Sequence, residues 1–416
     1  MTQQAVAAQG LALRAVTAAL QGNDRVGIAV SGGGDSMALL CLAQQAAAPL
    51  GCKLAVATVD HGLRAGSASE AADVARYCAA QGLPHDTLLW EHGPVCGNLQ
   101  AAARDARYGL LAAWARAREI PTVLLGHTLD DQAETFLMRL GREAGLDGLS
   151  GMARQFARNG VQWHRPLLDT TRAKLRDTLI SAGLGWSDDP SNEDHRFDRI
   201  KARTALQALG PLGIDAAGLG RVMSQLQDAR DALRHAVHRV AVQAIRQDYG
   251  ALVIDWPALE AEPPEILRRC MVSALVWVSG APYPSRREDL ALVIAAMADE
   301  GQKTLSGCIV KRQGQAVRIM REHRAVRDLV TRTDAIWDHH WRLDGPHASA
   351  LHIGALGEAG LRNCPDWRAT GLPRAMLLAS PAIWEDQRLV AAPLAGHGTE
   401  WTARIVADFH DMPVSH

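Results

Sequence analysis

The chain predicts an α/β fold: an N-terminal parallel twisted sheet with helices on both faces, then a helical linker and smaller C-terminal α+β parts. Three observations predict it. Apolar runs of strand length alternate with amphipathic segments of helix length through the first 140 residues. A glycine-rich hydroxyl loop follows the first run, and beyond about residue 145 the chain turns basic and rich in turn residues. Alternation of this kind marks βαβ units, whose crossover helices cover a parallel sheet on both sides.

The elements follow in order. The run at 26–30 leads into a helix over 36–47, and the run at 53–59 into one over 68–81. The run at 85–90 precedes a long helix over 99–119, and that at 122–125 a helix over 130–141. Between 145 and 210 ten Arg and Lys residues accumulate among turns. A helix over 218–247 leads into a separate part, and Pro263-Pro264 and Pro282/Pro284 punctuate further helices. Residues 303–322 read as a strand pair across Gln313-Gly314, and the Trp-rich stretch from 336 onward as a small β or α+β unit. The expected domains are therefore 1–210, 211–332 and 333–416.

Composition narrows the function. At 416 residues with a formal net charge of −1, the chain is no polycation, so an RNA partner would be met by local patches. Its seven cysteines form no C-x-x-C pair, which argues for a reducing compartment and against a zinc knuckle or persulfide relay. No apolar run reaches membrane-spanning length, and no basic segment precedes an apolar one at the N-terminus. The expectation is a soluble cytoplasmic protein, monomer or homodimer, with no membrane partner.

Three signatures fall at strand ends, where ligands sit on parallel sheets. The first is Ser31-Gly32-Gly33-Gly34-Asp35-Ser36. Its glycines let the backbone turn tightly and aim successive N–H groups inward, making an anion cradle at a helix N-terminus. Asp35 would repel a phosphate unless a divalent cation stood between them. The loop has no Lys after its glycines, so it is not a Walker A motif. The second signature is Val59-Asp60-His61-Gly62-Leu63-Arg64, readable as an Asp-stabilised turn or as a wall of a nucleotide pocket. The third, Gly126-His127-Thr128-Leu129-Asp130-Asp131-Gln132-Ala133-Glu134, places Asp130 and Asp131 at a helix N-terminus and Glu134 one turn beyond. Capping alone needs fewer carboxylates, so the group suits Mg²⁺ or an ammonium nucleophile. Arg104 and Arg107 share a helix face, solvated by default or turned toward phosphate. The basic helix at 197–203 and the basic patch at 303–332 are either solvated faces or tracks for an RNA backbone.

Taken with Gly145–Met152, Arg165-Pro166-Leu167-Leu168 and Asp188-Asp189-Pro190-Ser191-Asn192, this set resembles the tRNA(Ile)-lysidine synthase family of PP-loop (N-type) ATP pyrophosphatases, which share the adenine-nucleotide α-hydrolase-like fold. The resemblance is dense over 25–205 and thinner beyond, where 381–393 looks like the family's C-terminal ending. It implies ATP-dependent ligation of L-lysine to C2 of the wobble cytidine of a CAU-anticodon tRNA(Ile), through an adenylated base. It also implies roles. Ser31, Gly32, Gly33, Gly34, Asp35, Ser36, Asp60, His61, Gly126 and His127 would bind ATP; Asp35, and as a further candidate Asp130, would hold Mg²⁺. Asp131 and Glu134 would bind lysine, with Arg107 and Arg199 steadying phosphate or base. From charge and position, not from the resemblance, Arg64, Arg203, Lys311 and Arg312 are expected to meet RNA. Two departures stand out: residues 142–145 read Arg-Glu-Ala-Gly where the family shows Arg-Gly-Ser-Gly, and Ile200 stands where Asn is usual. A PP-loop thiolase, an ammonia-using synthetase and a non-catalytic RNA-binding adaptor remain alternatives.

Overall fold

The computed structural model describes residues 3–62, 66–92, 99–187 and 198–411, with side chains from residue 10 onward. Two compact units make up the chain, Met1–Asp228 and Ala229–His416.

The first unit opens with α1 (Gln3–Leu20) and β1 (Arg25–Ala29), then α2 (Gly34–Leu50), β2 (Lys53–Asp60), α3 (Ser67–Ala80), β3 (His85–Leu89), α4 (Leu99–Ala117) and β4 (Thr122–Leu125). There follow α5 (Leu129–Leu140), α6 (Leu146–Leu149), the hairpin β5 (Gln155–Arg158) and β6 (Val161–His164), α7 (Arg172–Ser181) and α8 (Asp198–Leu209). The sheet order is β3-β2-β1-β4-β6-β5, parallel except for the edge strand β5. Chain order reverses between β1 and β4. At such a switch point two loops diverge from adjacent strand ends and leave a crevice. Ala29 pairs with Leu125, so the glycine loop and the Gly126–Asp131 turn emerge level with one another.

Alternating strand residues feed two cores. Val26, Ile28, Val56 and Leu124 pack with α1, α2 and α7 on one face, whereas Ala29, Ala57, Val123 and Leu125 pack under α4 on the other. Gly27 is required here: a Cβ would lie 2.8 Å from the Trp114 ring, so only glycine lets α4 sit this close. Trp114 in turn donates through Nε1 to Asp86 Oδ2 at 2.7 Å.

Several expectations shift. The N-terminal segment, read only for the lack of a leader, forms α1 and supplies Ala12, Val16 and Leu20 to the core. Helix α2 starts at Gly34, two residues earlier than expected, which brings Asp35 and Ser36 into its first turn. The stretch 145–210 holds a hairpin and two substantial helices. The long helix α9 (Ala216–Ala244) stops where β7 (Ile245–Asp248) begins, so the expected helix to 247 is cut short by a strand.

In the second unit β7 joins β8 (Ala251–Asp255), and α10 (Trp256–Glu260), α11 (Pro264–Ser279) and α12 (Arg287–Ala298) follow. The expected strand pair is three strands, β9 (Gln302–Leu305), β10 (Cys308–Gln313) and β11 (Ala316–Arg321), the last two turning at Gly314 as read. These five strands form an antiparallel sheet whose apolar side packs on α11 and α12. Two smaller sheets, one of four strands and one of two, build the Trp-rich end around Trp337, Trp341 and Trp401. Six cysteines of the described residues are free and buried.

Candidate functional site

A cavity of about 620 Å³ opens at the switch point of the first unit. Its floor is the glycine loop. Gly32 takes φ 86°, a left-handed conformation that L side chains rarely adopt, and this turns the chain back toward α2. Ser36 Oγ then locks the loop: it accepts from Ser31 N–H at 3.1 Å, donates to the Gly33 carbonyl at 2.9 Å, and lies 3.2 Å from Ser31 Oγ. Ser187 N–H donates to the Gly32 carbonyl at 3.0 Å, so a strand-like segment from after α7 braces the loop from outside. What remains is the first turn of a 17-residue helix with its free N–H groups and positive dipole end toward the cavity.

Gly126 makes the opposite wall possible. A Cβ there would stand 3.1 Å from Ser36 Cα and 3.2 Å from the Asp35 carbonyl oxygen, both backbone atoms that cannot yield cheaply. Gly126→Ala is therefore expected to destabilise the first unit by about 1–3 kcal/mol, read as a lower urea midpoint, and to weaken nucleotide binding with it. An unchanged midpoint would mean that the two loops are not in contact.

Helix α5 brings the acids. Thr128 and Asp131 form a capping box: Asp131 Oδ2 accepts from Thr128 N–H at 2.8 Å and from Thr128 Oγ1 at 2.9 Å, while Asp131 N–H donates to Thr128 Oγ1 at 3.3 Å. One turn on, Glu134 is 1% exposed and points into the same cavity. Asp130 faces elsewhere, its Oδ2 accepting from the Arg172 backbone N–H at 2.7 Å at the start of α7.

Arg172 is the residue that sequence reasoning passed over, counting it only among the basic run. Its Nε lies 2.9 Å from Asp35 Oδ2, its Nη2 3.4 Å from Asp131 Oδ1 and its Nη1 3.5 Å from Glu134 Oε1. The signal was available: an Arg at the first position of a helix opposes the dipole and asks for an anionic partner. Arg203 also reaches Glu134, with Nη2 2.9 Å from Oε1. Arg107, Arg176 and Arg199 complete the cationic lining, with Glu70 and the buried Ile200 on the same wall.

Electrostatics divide the carboxylates. Burial pushes Asp35 above its ordinary value, although Arg172 pulls the other way. For Asp131 burial acts in the same sense, but Arg172, His127 and the Thr128 backbone outweigh it and hold the carboxyl low. Burial, with Arg165, Arg107 and Arg199 nearby, pushes His127 down to about 3 despite Asp131. Asp35 Oδ1, Glu134 Oε2 and His127 Nδ1 are buried without a protein partner. Such atoms cost free energy unless a ligand or water meets them.

The His127 shift has a sign that can be measured. An unfolded imidazole takes its proton near pH 6.5, the folded one only near 3. The unfolded state thus binds more protons throughout that window, and stability falls as pH drops by up to about 1.4 kcal/mol per unit. His61, His85 and His164 shift in the same direction, also through burial. Asp131, held low, loses its contribution only below about pH 4. His127→Asn should flatten the fall in urea midpoint between pH 7 and 5; an unaltered slope would show that His127 is not kept neutral by the fold.

Of the residues read from sequence, Ser31, Gly33, Gly34, Asp35, Ser36, Arg107, Gly126, His127, Asp131, Glu134, Arg199 and Arg203 line this one cavity. Gly32 shapes it from behind. Asp60 Oδ1 accepts from Gly62 N–H at 2.9 Å, the Asp-stabilised turn, and His61 packs edge-on against Trp90, neither in the lining. Arg64 and the 188–192 segment lie outside the described residues. In the second unit Lys311 stands opposite Arg318, whereas Arg312 donates through Nη1 to the Met297 carbonyl at 2.7 Å at the end of α12. Glu143, the first departure, adopts φ 55°, the region glycine favours.

Among known proteins, the PP-loop domain family matches residues 6–209. A tRNA(Ile)-lysidine synthase of Ruegeria pomeroyi is 48% identical over 395 residues, covering 94% of each chain. One of Mesorhizobium japonicum is 36% identical over 372 residues, covering 85% of this chain and 81% of that one. Among solved structures, the U34-tRNA thiolase NcsA of Methanococcus maripaludis is similar at 15% identity and TM-score 0.45, over 52% of this chain and 78% of that one.

Proposed function

Because the chain belongs to the tRNA(Ile)-lysidine synthase family, with a PP-loop domain in its N-terminal half, we propose that it ligates free L-lysine to C2 of the wobble cytidine of CAU-anticodon tRNA(Ile). ATP activates the C2 oxygen as an adenylate and releases pyrophosphate; the lysine ε-amine then displaces AMP. The product, lysidine, pairs with A in place of G, which changes codon recognition from AUG to AUA. The observation that carries this reading is the meeting of a phosphate-cradling helix N-terminus with the acidic face of α5 in one cavity.

Each residue has work in that scheme. The amides of the first turn of α2 and the Ser31 and Ser36 hydroxyls receive the leaving pyrophosphate. Arg107 and Arg199 steady phosphate or activated base. Asp131 and Glu134 hold the lysine ammonium, and one of them accepts its proton so that a neutral amine attacks. Asp35 Oδ1, buried and unpaired, suits a hard cation such as Mg²⁺. Among the described residues no cluster of three His, Cys, Asp or Glu gathers for a metal, so phosphate oxygens would complete the shell. When bound, the ion neutralises charge on the polyphosphate.

We assign catalysis to residues 1–210, tRNA contact to 211–332 with the half-buried Lys311 on its sheet, and leave 333–416 as a small appended domain. Among the described residues no helix is long and apolar enough to cross a membrane, and we place the reaction in the cytoplasm. Mass analysis of CAU-anticodon tRNA(Ile) after incubation with protein, ATP and lysine tests the reading. A lysine adduct on the anticodon cytidine supports it. A sulfur-dependent product would move the protein to the thiolases, and no product with tight RNA binding to an adaptor.

A further inference from the structure

We propose that Arg172 is a positioning residue that keeps the amine seat closed until nucleotide phosphates are bound, so that ATP must bind before lysine. The inference rests on the reading of Asp131 and Glu134 as the amine-holding pair.

One guanidinium answers three carboxylates from two helices: Asp35 on α2, and Asp131 and Glu134 on α5. Its position is the one an incoming ammonium needs. Asp131 Oδ2 is consumed by the capping box, so its free oxygen is Oδ1, which faces Arg172. Glu134 Oε1 is shared by Arg172 and Arg203, while its Oε2 is buried without a partner. A second cation at Asp131 Oδ1 would therefore stand against Arg172 in a poorly solvated cavity, where like charges repel far more than in water. Lysine alone meets a seat that is already neutralised.

The same contacts supply the release. Asp130 fixes the Arg172 backbone at the first position of α7, so the side chain can swing while the helix stays. Its shortest contact, to Asp35, already directs it at the first turn of α2, where the cradle lies. Arg176, one turn further along α7, lines the cavity as well. A polyphosphate in the cradle offers several charged oxygens beside that face, and a guanidinium matches them in bidentate fashion. Drawn there, Arg172 leaves Asp131 Oδ1 without its counter-charge and Glu134 with Arg203 alone, and the lysine ammonium becomes the missing counter-ion.

The test is calorimetric titration of lysine into the full chain, alone and preloaded with Mg²⁺ and α,β-methylene-ATP, whose α–β bridge cannot break. Wild-type protein is expected to bind lysine at least tenfold more tightly when preloaded. Arg172→Gln should bind lysine without nucleotide and lose that coupling to within twofold, while Arg172→Lys, which keeps the charge, should retain most of it. Equal lysine affinity in both states of the wild type would overturn the ordering, and so would undiminished coupling in Arg172→Gln. Should Arg172→Gln fail to fold, the wild-type pair and the Lys variant still decide. Nucleotide binding with no lysine binding in either state would instead overturn the amine-seat reading beneath it.

Discussion

Asp35→Ala is expected to reduce pyrophosphate release from ATP, in the presence of tRNA, by about a thousandfold or more. The carboxylate stands in the first turn of α2 with one oxygen held by Arg172 and the other unpaired. Burial raises its pKa, so the fold bears a cost to keep it ionised at neutral pH. A group that is unfavourable in the empty fold and unpaired toward a phosphate cradle is placed for a ligand. Removing it should therefore leave the melting temperature unchanged or slightly raised while activity is lost. The linkage sign agrees: a carboxyl whose folded pKa is raised detracts from stability above its unfolded value. Retained pyrophosphate release in Asp35→Ala, with the protein folded, would remove Asp35 from the chemistry.

Glu134→Gln is expected to separate the two half-reactions. An amide of the same shape keeps an oxygen for Arg203 but neither attracts an ammonium nor accepts its proton. Lysine transfer should fall by about 10²–10⁴-fold, with base adenylation within a few-fold of wild type in single-turnover assays. Asp131→Asn should follow the same pattern, since its amide oxygen can still serve the Thr128 cap. Asp131→Ala adds the loss of that cap, about 1 kcal/mol, and is the less clean test. Equal loss of both half-reactions in Glu134→Gln would mean that α5 serves the nucleotide and not the amine.

How much of this was legible beforehand depends on the range of the interactions involved. Strand runs, crossover helices and the loop after β1 were readable because hydrophobic period and glycine spacing are local properties. Helix α1 was missed because an Ala-rich segment carries little local signal; its burial against α2 and α7 stabilises it. Ile245 read as a continuation of α9 because a β-branched residue fits either period, and its pairing with Ile254 decides for the strand. Arg203 and Arg312 read as RNA contacts from charge, which by itself does not show the partners that the fold gives them. Folded, one rests on Glu134 and the other on the carbonyls that end α12.

The order of residues along the chain determined by itself the parallel α/β framework and the acidic, glycine and arginine segments from which a nucleotide site is made. Only the tertiary structure decided how those segments answer one another: Arg172 meets Asp35 across 137 positions, and Asp130 turns from the cavity to anchor it. The reason is physical. Periodicity and capping act between near neighbours, whereas the pairing of buried charges is set by which strand ends lie side by side, and that follows only when the sheet closes its order around β1 and β4.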